Sequence, residues 1–550
     1  MKKGTFIAIA CILGLCLAFA LLPSGVAAQP VSNHSVEIGQ IEPTFEKDLS
    51  FEKDLSIEAA PLSLRELNEL RHKKLELREK IDSQVDNNPP SPPGLPEKFV
   101  AGTEVGVESE IGPWLPGSFA IGKNNRNAIA IGSLGSTLAE PAAANEGKNV
   151  FYTGNTYASY SLNNGLNWTN VPIPAGPADA PIACCDQDVV YDKARGVTFW
   201  GLLYVNSNAT NGVVRIFVRR TIPGATSCSY TIDPGGTANN VLPDYPHLGI
   251  SNDYLYLTTN NIVNGTTWGG AQVRRFNIEQ MANCVGTAFT TYTYTGSYGG
   301  GQRVFVPVEG ARETMYWGML QSSTTFRLFS WPEASAAPTN VLRTITAANY
   351  TNPDCRGGLN NTDWIERSTA WSITGFRLRG AVGAGRISFY WNVGADASHT
   401  QGHVHSAIFR ELDGLLIAQP HIWNSGACFG YPAVSTNARG DLGLTIASGG
   451  RAGGGGPAVQ GYVGIDDDYT AGIGVFGTVY RTAIGTHNPA DNRYGDYFTI
   501  HPQTPCDLFF AATNYALYGG TSRTNVNARY VEFGRGRDGV CYTNWSDEDR

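Results

Sequence analysis

The chain has 550 residues, of which 42% are hydrophobic and 16% charged, and its formal net charge is −8. This length is enough for a large core, and the acidic balance excludes nucleic acid and anionic membranes as expected partners. Eight of the ten cysteines lie from Cys184 onward without any C-x-x-C spacing, which indicates disulfides and not a zinc or redox motif. We assign no pairing, but we expect Cys184 and Cys185 to have separate partners, because a direct bond closes a strained ring.

Residues 1–28 have the pattern of a secretory signal. Two lysines precede an apolar run from Phe6 to Leu22, and small residues lead up to Ala28. The apolar run is shorter than the ~20 residues that a membrane span needs, so we favour cleavage after Ala28 over a retained anchor. The predicted location is secreted or at the cell surface, with no membrane span after cleavage.

Residues 29–97 are predicted to form a polar leader outside the main domain. They contain the tandem repeat FEKDLS-FEKDLS, then a capping box of Ser63 and Glu66 that begins one amphipathic helix. The proline-rich stretch NNPPSPPGLP at 87–96 follows and is typical of a stiff linker. A single helix with a thin apolar stripe has no core of its own, so we interpret the leader as a stalk.

Residues 98–536 have the composition of an all-β domain, and residues 537–550 form a tail. Runs of β-branched and aromatic residues alternate with turn residues, and they group into units of about 45 to 65 residues, the period of a four-stranded blade. We predict a single β-propeller with seven blades, with six as the alternative. A closed ring removes the exposed sheet edges that such a long all-β chain otherwise has.

Four of these units open with the same pattern. The sequences are DQDVVYDKARGVTFW, DYPHLGISNDYLYL, GYPAVSTNARGDLGL and RYGDYFTIHPQTPCDLFF. In each, polar residues lead into a short strand, a turn with Asp or Asn follows, and an apolar strand comes next. We interpret the pattern as four loose copies of one hairpin that recurs at blade spacing.

The stretch YSLNNGLNWTN at 160–170 resembles the Asp-box turn, S-x-D-x-G-x-x-W, of sialidase-type BNR propellers. Ser161, Asn163, Gly165 and Trp168 match it, with Asn in the position of Asp. The four repeated openings also resemble uncharacterised secreted propellers of that superfamily, and the resemblance extends over about residues 105 to 535. It implies a hairpin on the outer rim of a blade, with Trp168 buried, and it says little about chemistry.

The resemblance does not extend to the sialidase active site. That family needs three arginines around a carboxylate, a Tyr–Glu pair, an acid–base Asp, and an Arg-Ile-Pro motif before the first Asp-box. Residues 99–161 contain no such motif, and RTIPG at 220–224 is interrupted by Thr221 and follows the box. No triad can be assigned from the later arginines Arg303, Arg367, Arg493 and Arg529. We therefore predict that sialidase activity is absent.

Two stretches, DNRYGDYF at 491–498 and WIERSTAW at 364–371, are predicted to lie at the channel mouth. Aromatic rings beside arginine suit sugar recognition, and the arginine fork favours an acidic saccharide. The alternative is a structural ion pair between blades. The candidate ligand-binding residues are Arg367, Arg493, Tyr494 and Tyr497, and the candidate acid–base residues are Glu366 and Asp496.

The stretch HTQGHVHSAIF contains three histidines. His403 and His405 alternate in a strand-like segment and so share one face, with His399 four residues before His403. They are candidate metal ligands, or catalytic groups of a hydrolase or lyase. The favoured interpretation is a polar strand face, because we find no nearby Asp, Glu or Cys to complete a ligand set.

Two classes of function follow. The first is a non-catalytic propeller that binds glycan or protein ligands at the cell surface. The second is a secreted glycoside hydrolase or polysaccharide lyase that acts on an acidic saccharide. The altered Asp-box and the missing sialidase motifs favour the first, and the arginine and aromatic residues near the channel favour the second. We expect a monomer, predict no cofactor, and leave the metal open.

Overall fold

The computed structural model describes residues 34–45, 104–105, 119–131, 135–220, 227–234, 240–296, 304–346, 354–365, 378–466, 473–496, 498–519 and 525–535. The signal segment, the helix after Ser63, the proline-rich linker and the C-terminal tail lie outside the described residues. Within these ranges, no helix is long and apolar enough to cross a membrane.

The described strands form small antiparallel sheets arranged as a seven-bladed propeller, which confirms the predicted all-β fold and the favoured blade number. Four strands precede the first blade: β1 His34–Ile41, β2 Thr44–Phe45, β3 Glu104–Val105 and β4 Phe119–Arg126. A 3-10 turn follows at Ile129–Ile131. Blade 1 contains β5 Ala142–Glu146, β6 Asn149–Gly154, β7 Tyr157–Ser161 and β8 Thr169–Val171.

Blades 2, 3 and 4 follow in chain order. Blade 2 contains β9 Ile182–Asp192, β10 Val197–Val205, β11 Gly212–Arg219 and β12 Cys228–Ile232. Blade 3 contains β13 Val241–Ile250, β14 Tyr254–Val263, β15 Thr267–Asn277, helix α1 Ile278–Ala282 and β16 Thr287–Tyr294. Blade 4 contains β17 Thr314–Ser322, β18 Thr325–Pro332 and β19 Thr339–Thr344, with the segment 304–309 on its inner side.

A short ribbon precedes blade 5: β20 Arg356–Gly357 and β21 Thr362–Asp363. Blade 5 contains β22 Arg379–Gly383, β23 Arg386–Val393, β24 His403–Arg410, β25 Leu416–Ala418 and β26 His421–Ile422. Blade 6 contains β27 Cys428–Thr436, β28 Leu442–Gly449, β29 Gln460–Ile465 and β30 Thr478–Ala483. Blade 7 contains β31 Ile500–Pro502, β32 Phe509–Leu517 and β33 Val526–Arg535.

The ring is closed by a strand from the other end of the chain. β4 pairs antiparallel with β33 and supplies the outer strand of blade 7. β1, β2 and β3 pair with the outer strands β16, β12 and β30, so they extend blades 3, 2 and 6. Residues 34–45, which the sequence analysis placed in the leader, therefore belong to the edges of two blades.

The core lies between neighbouring blades and not within one central cluster. β10 is buried along its whole length, because other blades cover both faces of its sheet. Aromatic rings fill these interfaces: Phe151 of blade 1 lies 5.3 Å from Trp200 of blade 2, centroid to centroid. This packing explains why the strands are near-continuous apolar runs in the sequence.

The repeated openings correspond to bulged inner strands. Asp186, Tyr245 and Tyr431 have φ values of 53°, 54° and 54°, which non-glycine residues rarely adopt. At each of them the pairing of β9, β13 or β27 with the next strand skips residues. A bulge bends its strand and redirects the neighbouring side chains, so the same device is used on three blades at the channel.

The predicted hairpin at 160–170 is present between β7 and β8. Ser161 Oγ accepts hydrogen bonds from the main-chain N–H of Gly165 at 2.8 Å and of Asn163 at 3.2 Å. Trp168 is half-buried, and its ring packs edge-on against Tyr152 and Tyr530. Ser161 is itself buried, whereas we predicted that the polar residues of this turn lie on its outer side. The identity of the turn as an Asp-box rests on the sequence resemblance.

Three disulfides lie within the described residues: Cys184–Cys185, Cys228–Cys284 and Cys355–Cys428. The expectation that Cys184 and Cys185 have separate partners was wrong. The ladder between β9 and β10 pairs Leu203 with Cys185 and Tyr204 with Ala183, so that Cys184 is skipped. Because the backbone leaves the regular ladder here, it can take up the turn that a bond between adjacent residues requires.

Candidate functional site

The starts of the inner strands meet around a cavity at the propeller axis. The cavity is small, with a volume of about 20 Å³, which is room for about one water molecule, and it is open at its mouth. Blades 2 to 7 contribute to its lining. The polar side chains are Asp188, His247, Glu309, Arg379 and Thr499, and the larger apolar ones include Val306, Leu248 and Phe498.

The central polar group of the cavity is His247 of blade 3. Its Nδ1 atom lies 3.2 Å from Oδ2 of Asp188 on blade 2 and 3.1 Å from Nη1 of Arg379 on blade 5. This one nitrogen thus lies between a carboxylate and a guanidinium. If it carries a proton it donates to Asp188, and if it does not it accepts from Arg379. All three side chains are buried, so these interactions are little screened by water.

Asp188 is held as an anion. Burial by itself raises the pKa of its carboxyl group, but the hydrogen bond and charge of His247, together with the N–H of Leu248, bring the pKa below the ordinary value. The main-chain N–H groups of Leu248 and Val189 each donate to this carboxylate at 2.9 Å. Asp188 lies two residues after the bulge of β9 at Asp186 and pairs regularly with Gly201 of β10.

A second carboxylate–imidazole pair crosses the axis. Nδ1 of His501, on blade 7, lies 3.0 Å from Oε2 of Glu309, on the inner segment of blade 4. Burial lowers the pKa of His501, but the charge of Glu309 outweighs it and the pKa is raised. Since blades 4 and 7 stand almost opposite each other in the ring, the contact shows that the channel is narrow here.

The candidate residues from the DNRYGDYF stretch have different positions. The main chain of Asp496 adjoins the cavity, because its carbonyl accepts from Arg379 Nη2 at 3.3 Å and its N–H donates to Glu140 Oε1 at 3.1 Å. Tyr494 is buried, with its ring stacked on that of Tyr515 at 4.2 Å and its hydroxyl bonded to the Tyr515 carbonyl. Arg493 is half-buried beside these residues. The ligand-binding roles of Arg493 and Tyr494 stay predictions, and Glu366, Arg367 and Tyr497 lie outside the described residues.

His403 and His405 lie on β24, the third strand of blade 5, and are not part of the axial cavity lining described above. His399 and His421 join them, and Asp396 bonds to His399 through Nδ1 at 2.9 Å. Asp396, three residues before His399, is an acidic neighbour that the sequence analysis did not use, and it bonds to a histidine of the cluster without joining the set of possible metal ligands. Burial lowers the pKa of His405 to about 3 and also lowers that of His403 and His421, so these rings are neutral.

The sequence analysis missed most of the axial residues. Asp188 and His247 each belong to one of the four repeated openings, but we used these two openings only as evidence for the fold. His501 lies in the fourth opening. Nothing in the sequence marks Glu309 and Arg379, because their segments lack the repeated pattern.

The chain matches no family model and no curated protein. Among solved structures it is similar to a variant of NanB sialidase from Streptococcus pneumoniae, with 11% identity over 72% of this chain and 68% of that one and a TM-score of 0.34. It is also similar to the α-L-arabinanase of Penicillium chrysogenum solved with arabinobiose, with 9% identity, coverages of 73% and 94%, and a TM-score of 0.35. A GH43 endo-arabinanase from Bacillus licheniformis has 11% identity, coverages of 59% and 93%, and a TM-score of 0.25. At this level of similarity the neighbours carry no argument about the ligand.

Proposed function

We propose that the protein is a glycan-binding propeller whose ligand occupies the axial cavity. The observation that carries the proposal is the convergence of four polar side chains from four blades on one cavity at the axis: Asp188, His247, Glu309 and Arg379. Asp188, His247 and Arg379 are buried and Glu309 is half-buried, and charged groups that converge on a cleft in this way are uncommon in a purely structural core, because burial costs desolvation energy. The polar lining suits the hydroxyl groups of a saccharide that binds at the mouth of the cavity.

The charges of the lining indicate how a saccharide is held. Asp188 and Glu309 accept hydrogen bonds from hydroxyl groups, Arg379 donates to hydroxyl or ring oxygens, and Phe498 offers an apolar surface for a sugar face. Two carboxylates stand against one guanidinium, so this lining gives no preference to an acidic saccharide over a neutral one. The acidic preference expected from Arg367 and Arg493 remains a separate prediction.

The proposal includes the absence of sialidase activity. The sialidase resemblance calls for three arginines around one carboxylate, whereas the cavity lining within the described residues contains Arg379 as its one arginine. Together with the missing Arg-Ile-Pro motif, this supports a propeller that holds a ligand by other contacts. We place the protein outside the cell or at its surface, in line with the signal-like N-terminus and with the disulfides, which are typical of an oxidising compartment.

The test is isothermal titration of the purified protein with a panel of neutral and acidic oligosaccharides. For the best ligand we expect Arg379→Gln to weaken binding at least ~10-fold, since hydrogen bonds to charged groups contribute about 1.5–3 kcal/mol. Arg529→Gln is the matched control, because Arg529 bonds to Asn527 and Asn124 near the outer strand of blade 7. Equal loss in both variants, or no saccharide binding at all, contradicts the proposal.

A second candidate is a glycoside hydrolase or polysaccharide lyase. The observation in its favour is the Asp188–His247 pair, because a carboxylate that orients an imidazole is a frequent arrangement in acid–base catalysis. The same panel is therefore assayed for new reducing ends and for unsaturated uronates. Activity that disappears in His247→Asn supports the enzyme, and binding without either product supports the binding protein.

A further inference from the structure

Four histidines of blade 5 lie together: His399 before β24, His403 and His405 on it, and His421 on β26. The ring of His399 stacks on those of His403 and His421, with centroids 4.3 and 4.5 Å apart. His421 of β26 pairs directly with His405 of β24. The register of the two strands therefore brings these side chains to one face of the sheet.

Hydrogen bonds fix the tautomers of two of these rings. Nδ1 of His399 lies 2.9 and 3.0 Å from the two carboxylate oxygens of Asp396, so it carries the proton. Nδ1 of His403 lies 3.2 Å from the main-chain carbonyl of Gln401, which accepts only, so it is protonated as well. With the proton on Nδ1, Nε2 is in both rings the nitrogen that is available to a metal.

Three ring nitrogens converge on one point, and without a metal His421 Nδ1–H donates to Nε2 of His403. Nε2 of His403 lies 3.0 Å from Nδ1 of His421, and the ligand atoms of His399, His403 and His421 all lie within 4.8 Å of one another. Zn–N bonds of 2.0–2.1 Å in tetrahedral geometry place ligand nitrogens about 3.3 Å apart. The Nε2 atom of His399 is buried and has no hydrogen-bond partner, which is a costly state for a nitrogen acceptor.

We propose that His399 Nε2, His403 Nε2 and His421 Nδ1 bind one divalent transition-metal ion, and that this ion is Zn²⁺. Three neutral imidazoles suit zinc, and they leave a fourth position for a water molecule or a ligand atom. Asp396 holds His399 from behind, in the manner of the carboxylates that orient zinc-binding histidines. His405 lies outside this set of three, with its Nδ1 bonded to the Ser406 carbonyl at 2.8 Å. The proposal is independent of glycan binding.

The experiment is titration of the metal-stripped, full-length protein with Zn²⁺ by calorimetry. We expect one equivalent to bind, and the melting temperature to rise with Zn²⁺ concentration, since an ion that binds only the native state stabilises it. The variants His399→Ala and His421→Ala lose this binding. Asp396→Asn keeps all three imidazoles and binds Zn²⁺ 10–100-fold more weakly.

His487→Ala is the control, because His487 lies outside the cluster and bonds to Thr486 through its own Nδ1. It retains wild-type affinity. If the alanine variants fail to fold, the visible absorption spectrum of the wild-type protein loaded with Co²⁺ tests the site instead. Co²⁺ in a tetrahedral site absorbs strongly in the visible range. The absence of saturable Zn²⁺ binding, unchanged affinity in His421→Ala, or an octahedral Co²⁺ spectrum would overturn the proposal.

Discussion

Nδ1 of His247 lies 3.2 Å from Oδ2 of Asp188, although 59 positions separate the two residues in the chain. The two residues lie on the inner strands of neighbouring blades, β13 and β9. Arg379 of blade 5 also contacts Nδ1 of His247, through its Nη1 atom at 3.1 Å. At the axis of the propeller, blades therefore interact through buried charged side chains, in addition to the apolar packing between their sheets.

We expect Asp188→Ala to destabilise the fold as well as the cavity. The substitution leaves the N–H groups of Leu248 and Val189 without their acceptor, and each buried group without a partner costs about 1–3 kcal/mol. Urea unfolding followed by tryptophan fluorescence measures the loss. A midpoint equal to that of the wild type would mean that water replaces the carboxylate and that the pair is not structural.

A double-mutant cycle measures the interaction energy between Asp188 and His247 separately from their contacts with other residues. We expect Asp188→Asn and His247→Asn to be non-additive, with a coupling in the range of 0.5–3 kcal/mol found for residues in direct contact. Arg529→Gln with His247→Asn is the control cycle and should be additive. Additive effects in the first cycle would show that the two residues do not interact in solution.

Glu532 gives a pH-dependent prediction. Burial raises the pKa of its carboxyl group from 4.5 to about 7, in spite of the hydrogen bond from the Tyr530 hydroxyl at 2.7 Å. The native state thus keeps a proton that the unfolded chain releases, so the group removes stability as the pH rises from about 4.5 to about 7.

Replacing Glu532 with Gln removes this titration. We expect the variant to match the wild type near pH 4 and to be more stable above pH 7, by roughly 3 kcal/mol at most. Chemical unfolding across that pH range tests this. A difference between the two proteins that does not change with pH would contradict it.

Gly165 tests the turn between β7 and β8. Its φ is +82°, and a Cβ atom there would lie 2.9 Å from Cζ2 of Trp168. Gly147 is the matched control, with a φ of +59° and no atom near its Cβ position. We expect Gly147→Ala to cost about 1 kcal/mol for its backbone conformation alone, and Gly165→Ala to cost more, as a larger fall in melting temperature. Equal falls would show that Trp168 does not pack against this turn.

The fold could be predicted because its signals are local and repeated. Seven units with turn residues between apolar runs predict blades, and the bulged openings at Asp186, Tyr245 and Tyr431 recur at the same point of three units. Ring closure by β4 could not be predicted, because strand pairing over 400 positions leaves no mark in either segment.

The site was predicted less well, for a physical reason. The cavity brings together single residues from different blades, such as Glu309 and His501, and no short motif contains both. The histidines of blade 5 were visible because two of them alternate on one strand. His421 was not, since it comes to them only through the pairing of β26 with β24.

The central claim is that the glycan occupies the axial cavity, and hydrogen–deuterium exchange with and without the best-binding saccharide tests it most directly. The account predicts slower exchange upon binding in the inner strands, around Val189, Leu248 and Gly380, with no change in the outer strands β8 and β19. Protection confined to the outer strands, or to residues outside the inner segments of the blades, would contradict it.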